Sequence, residues 1–274
     1  ELVMKKTSLA VSLAVLSLSV SSVASAAEPE AAPASPHTFT GNVAAVSNYV
    51  FRGITQSGGD PAIQGGFDYS HASGLYAGTW ASNVSWVTDN IATASNSMEL
   101  DLYAGYKGSL PADFGYDLGV LTYVYPGSGT DGGTGLKPDS TELYGALTYK
   151  WLTVKYSYSV TELFGWADTG TAKGKTKGSG YLEANLSYDM GNGLTLIGHA
   201  GHQKINGRSS ASYSDYKVGV TKDIGFGVLG LAATSTDADG SCSAGQDYCW
   251  GIAPGKKTYN AGKSAFIVSF SKTL

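Results

Sequence analysis

Apolar and polar residues alternate along nearly the whole chain, in segments roughly ten residues long. In one of them Leu152, Val154, Tyr156, Tyr158 and Val160 fall on one side, and Thr153, Lys155, Ser157, Ser159 and Thr161 on the other. A period of two gives each strand one oily and one wet face. The pattern recurs in twelve segments, near residues 38–53, 61–70, 74–85, 97–107, 114–125, 140–150, 152–163, 179–190, 193–203, 213–223, 226–236 and 263–274. Links after the even-numbered segments are tight, at 71–74, 108–113, 150–151, 191–193 and 224–225. Those after odd-numbered segments are mostly longer and rich in Gly, Ser, Thr and Asp, at 86–96, 126–139, 164–178 and 237–262. Alternation alone does not say which face is inside, because a soluble ligand-binding barrel shows the same period with its oily face inward. The sorting of the links carries the distinction, since short turns at one end and long loops at the other belong to bacterial outer-membrane barrels. The pattern predicts an all-β fold: a transmembrane antiparallel β-barrel of about 12 strands, with short periplasmic turns and long extracellular loops.

The N-terminal region fits that address. Lys5 and Lys6 form a basic stretch, Leu9 to Val23 an apolar one, and Ala24-Ser25-Ala26 a small-x-small cleavage pattern, so residues 1–26 read as a secretory signal peptide. Residues 27–37 are Ala- and Pro-rich without period and read as a disordered leader, leaving 38–274 as the barrel domain. No later stretch approaches the roughly 18 continuous apolar residues of a transmembrane helix, so a membrane location requires strands. The expected location is the outer membrane of a Gram-negative bacterium, in contact with its lipid and lipopolysaccharide. The formal net charge of −4 gives no electrostatic footprint for nucleic acid. The chain is rich in glycine (37) and tyrosine (18), which suits a curved sheet with interfacial aromatics. Tyr106, Tyr149, Tyr188 and Tyr216 fall on apolar faces and Trp151 in a short link, as girdles require, although Tyr156 and Tyr158 lie deeper.

The polar faces describe the expected lumen. Asp68, Glu99, Asp101, Asp117, Glu142, Glu183, Asp189 and Asp215 alternate with oily neighbours, against Arg52, Lys107, Lys155 and Lys217 on the basic side. Twice as many acids as bases predicts a mildly cation-preferring interior; the competing expectation is cross-barrel pairs that brace a closed one. Arg52 ends the first segment on the face of Thr38, Thr40 and Asn42, so it is expected to point into the lumen near the outer rim. There it is either a selectivity element or a salt bridge holding the first loop. Cys242 and Cys249, in a loop rich in Gly, Asp and Ser, are candidates for a small disulfide formed in an oxidising compartment.

Catalytic and metal chemistry find little support. His37 falls in the leader and His71 in a turn, while His199 and His202 take opposite faces of one strand. A hydrolase would need a histidine beside a nucleophile and an orienting group, and His199 is its only candidate. Gly170 to Thr176 resembles a phosphate loop but is one residue short between its glycines and has no following helical pattern. It reads as an external loop whose Lys173, Lys175 and Lys177 could meet lipopolysaccharide phosphates. No enzyme activity, metal or cofactor is expected, and the oligomeric state is open.

Longer stretches carry a family likeness. Thr40 to Trp86, Glu99 to Gly108, Phe114 to Gly127, Thr141 to Tyr149 and Ser212 to Gly225 together resemble the TorF porin family, also described as a proteobacterial family of otherwise unknown function. The resemblance spans essentially the whole chain after the signal. It implies an outer-membrane barrel acting as a porin for small hydrophilic solutes, with no substrate to carry over. Leu274 departs from the aromatic last residue common in outer-membrane barrels, while Phe266, Val268 and Phe270 keep the alternation.

Overall fold

The computed structural model describes residues 35–129, 137–166 and 175–274. The export signal read at 1–26 and most of the leader lie outside these residues. Twelve strands close into one antiparallel barrel. In chain order they are β1 (His37–Val46), β4 (Ala62–His71), β5 (Leu75–Asn83), β6 (Met98–Leu110), β7 (Phe114–Val124), β8 (Ser140–Tyr149), β9 (Leu152–Ser159), β10 (Gly180–Gly191), β11 (Leu194–Lys204), β12 (Tyr213–Asp223), β13 (Val228–Thr236) and β16 (Ala265–Thr273). Two short ribbons sit in the loops, β2 (Val50–Phe51) with β3 (Ile54–Thr55) and β14 (Cys249–Trp250) with β15 (Tyr259–Asn260). One helical turn, α1 (Trp86–Asn90), follows β5. Closure pairs β1 with β16, from Asn42 opposite Thr273 to Val46 opposite Ser269, which leaves the barrel without an edge strand.

Each of the twelve predicted segments holds one barrel strand, and the links sort as expected into a short-turn rim and a loop rim. The first segment is the main departure. It does not run to residue 53 but leaves the sheet after Val46. Ser47 explains the exit, because its backbone N–H reaches the Val268 carbonyl while its hydroxyl accepts from the Val268 N–H. A side-chain oxygen thus substitutes for the carbonyl that would have continued the ladder. Residues 47–61 become a long first loop. At the start of that segment, His37 is the first residue of β1 and not part of a leader.

The wall is inverted relative to a soluble barrel. Outward side chains are apolar and bare, including Phe67 at 70% exposure and Phe266 at 89%, whereas the inward Glu99, Glu142 and Asp215 are each 2% exposed. Outward aromatics gather at the short-turn rim, where Phe114 packs on Tyr149, Trp151 on Tyr188 and Phe226 on Phe270. Inside, tyrosines lie across glycines on the neighbouring strand. Tyr76 is registered opposite Gly105, Tyr103 opposite Gly78, and Tyr144 opposite Gly119. A Cβ on any of these glycines would run into the ring beside it, so each of these tyrosines needs its glycine.

Candidate functional site

The first loop turns back into the barrel. Strands β2 and β3 form a hairpin whose two-residue turn is Arg52-Gly53, with φ of 46° and 77°. Positive φ at both central residues is what a type I′ turn needs, and its twist matches that of the flanking strands. Glycine at the tip is required twice over. A Cβ on Gly53 would lie 2.5 Å from Cβ of Asp215 on β12, so the hairpin tip rests against the wall.

Arg52 fastens the hairpin to two further strands. Its Nη1 donates to Glu142 Oε1 on β8 and to Gln203 Oε1 on β11, both at 2.9 Å, and Nη2 donates to Glu142 Oε2 at 2.7 Å. The guanidinium also lies over the Tyr181 ring, 4.1 Å from its centroid. Burial works against the Arg52 charge, yet the adjacent Glu142 carboxylate more than reverses this and holds the group firmly protonated. A bidentate pair this dry is strongly directional. Removing one partner of such a pair costs about 3–5 kcal/mol, chiefly because the other charge stays buried alone.

Around this latch the loop rim is packed tight. Tyr49 and Tyr125, outside the barrel strands, donate to the two oxygens of Glu99, each at 3.0 Å. Burial first, and then the Glu99 charge, push both hydroxyls up, so they remain proton donors. Asp101 Oδ1 is buried and has no hydrogen-bond partner among the described residues. Val84, Trp86, Val87 and Ile91 form one apolar cluster with Tyr123 and Tyr144, and Leu163, Ile205, Tyr213 and Tyr248 form a second. Lys256 and Tyr259 of the last loop reach Asp89 of α1 at 2.9 and 3.0 Å, tying loops together across the mouth. Cys242 and Cys249 are bonded to each other in that last loop.

Below the latch the interior is looser. Lys155 and Glu183, registered opposite each other on β9 and β10, form an ion pair of 3.1 Å with about 15% and 13% of each side chain exposed. His199 reaches Asn185 at 2.7 Å, Tyr181 at 2.9 Å and Asp215 at 2.9 Å, which are its hydrogen-bond partners here; no serine is among them. Asp117 accepts from Tyr76 at 2.6 Å and Asp68 from Tyr103 at 2.5 Å. Tyr76 also meets Tyr144 through their hydroxyls. Lys107 stands opposite Asp117, and Lys217 opposite His199.

The candidate lumen residues therefore divide into two tiers. Arg52, Glu99, Asp101, Glu142 and Asp215 come together near the loop rim, and Asp68, Asp117, Lys155, Glu183 and Lys217 line the barrel beneath. Asp189 is exposed at the short-turn end of β10, where it accepts from the Gly191 N–H. Arg52 points inward as read from the sequence but for a different reason, since it sits on a hairpin turn and not at a strand end. Sequence reasoning missed Gln203, the inward tyrosines and the loop cap. Its available signal was parity: Tyr103 shares the odd positions of Glu99 and Asp101, and Tyr144 the even positions of Glu142. Of the basic loop at 170–177, residues 170–174 lie outside the described residues, and among the described residues no cluster of three or more His, Cys, Asp or Glu could hold a metal ion.

A family model described as "Bacterial protein of unknown function (Gcw_chp)" matches residues 30–274. It does not carry the TorF name, which stays a resemblance. No curated protein matches the chain. Among solved structures, the KdgM porin superposes with a TM-score of 0.49 at 8% identity, covering 86% of this chain and 98% of that one. A variant of OccD1 (OprD) gives 0.38 at 12% identity over 85% and 65%. The outer-membrane protein opdK from Pseudomonas aeruginosa gives 0.39 at 14% identity over 78% and 58%.

Proposed function

We propose that this chain, which belongs to the Gcw_chp family of bacterial proteins, is a porin-like channel of the Gram-negative outer membrane whose mouth is narrowed by its own first loop. One observation carries the reading: a closed barrel with bare apolar side chains outside and polar, largely hydrogen-bonded ones inside. In water that arrangement would leave a continuous oily surface exposed and bury charge, whereas in a bilayer each face meets its matching solvent. The aromatic band at the short-turn rim supports placing that rim at a membrane interface. With the N-terminal segment read as an export signal, the short-turn rim faces the periplasm and the loops face outward.

Small hydrophilic solutes would pass along the lower tier, where polar side chains are partly open. The excess of acids over bases supports a modest preference for cations, reduced by the pairs that Arg52, Lys155 and His199 make. The test is reconstitution of the folded protein into planar bilayers. Discrete current steps, with a reversal potential on the cation side in a salt gradient, are expected. Folded protein that inserts yet passes no current would overturn conduction and favour the second reading, a closed structural or adhesive barrel. That reading draws on one feature, the latch and cap at the loop rim.

A further inference from the structure

Between the two apolar clusters of the loop rim lies a partly open cavity of about 50 Å³, with Arg52 and Gln203 among its lining groups and Trp86, Phe164, Trp166 and Trp250 among its aromatic walls. Its walls come from the first loop, Trp86 of α1, residues 163–166, Ile205 and the last loop, with Gln203 and Tyr213 from the ends of β11 and β12, so loops and strand ends build it together. Two features there are not explained by packing. The indole N–H of Trp86 is buried and has no hydrogen-bond partner among the described residues. A buried donor left unmade costs about 1–3 kcal/mol, which an acceptor entering beside it would relieve. Arg52, for its part, commits only some of its five N–H donors to Glu142 and Gln203.

We propose that this cavity is a binding site for an uncharged sugar ring presented from the loop side. The charge balance sets the first condition. Arg52 is the one charged residue of the described lining, so a cation is repelled, and its charge is already taken up by the bidentate pair with Glu142, which leaves little to hold an anion. The unspent groups set the second, because both are donors and call for acceptor oxygens. The walls set the third: aromatic faces are electron-rich and pair with flat C–H faces made positive by neighbouring oxygens. A neutral pyranose meets all three. The cavity encloses a few water-sized groups, so it takes the leading edge of the ring while the remainder lies in the opening. Because Arg52 is shared with the latch, an occupied site acts on the hairpin directly.

The test uses the full folded chain in detergent and titrates intrinsic tryptophan fluorescence with methyl glucoside, a neutral disaccharide, glucuronate and choline. Saturable changes are expected with the neutral sugars alone. Trp86→Phe keeps an aromatic ring and removes the orphan N–H with part of the indole face, so it should weaken sugar binding by at least about 2- to 10-fold, the worth of one hydrogen bond. Its unheated gel migration should match the wild type, since Trp86 lies in α1 and not in a barrel strand. Trp166→Ala should abolish the saturable signal. No saturable change with either neutral sugar, equal affinity in Trp86→Phe, or tighter binding of glucuronate or choline would each overturn the proposal. The titration needs no current through the barrel, so its outcome is independent of whether the channel conducts.

Discussion

The two tiers of the lumen are made from the same residue types and behave as different materials. Near the loop rim, Glu142 and Glu99 are almost wholly buried and take partners from loops folded inward, Arg52 and Tyr49 among them. Below it, Lys155 and Glu183 pair across adjacent strands and keep part of their surface open. An upper charge is therefore a fastening, whose loss strands its partner in a dry environment. A lower charge is a lining, reached by water and salt through the part of its surface that stays open. The lesson is that an inward-facing acid in a barrel is not by itself a selectivity element; what reaches it from the loops decides.

The comparison breaks most visibly at Arg52. Arg52→Ala should cost about 3–5 kcal/mol in the packing of the loop rim, because Glu142 is left buried and unpaired. Limited proteolysis should then cut the long loops, while the barrel keeps its heat-dependent gel migration. Unchanged loop protection would show that the upper tier does not depend on the latch. Gly53→Ala should act in the same direction and less strongly. Its new methyl lies 2.5 Å from Cβ of Asp215 and its φ of 77° disfavours any side chain, so the hairpin must back away. Faster hydrogen exchange over residues 49–56 with no change in the barrel strands is the expected reading.

In the lower tier, Glu183→Gln should move the low-salt reversal potential toward anions without altering loop protection. The shift should fade as salt is raised from ~0.1 M to ~1 M, where the Debye length falls from ~10 Å to ~3 Å. A shift that persists at high salt would place Glu183 among the fastenings. The smallest effect is expected from reducing the Cys242–Cys249 bond, which closes a seven-position loop far from the lower tier. Reversal potential should not move, and a measurable change would join the last loop to the conducting path.

Much of this architecture is legible in the sequence because a barrel wall is a local pattern. Alternation marks the strands, and the lengths of the links sort the rims. What the pattern does not reach is the first loop. Val50, Phe51 and Ile54 continue the look of a strand, and only Ser47 and the Arg52-Gly53 turn mark where the chain leaves the wall. Pairings such as Arg52 with Glu142 and Gln203 join residues 90 and 151 positions apart, which no periodicity records. The inward tyrosines were available through parity but masked by the outward ones, since the same residue type serves both faces. Arg52 could be placed in the lumen, yet its choice between selectivity and fastening depends on a partner that only the closed barrel supplies.

Whether the latch limits passage is measured directly by single-channel recording of wild type beside Arg52→Ala in one lipid and one salt. A small unitary current in the wild type and a several-fold larger one in the variant is the predicted result. Equal unitary currents in the two proteins would contradict it, because the hairpin would then lie outside the path that ions take.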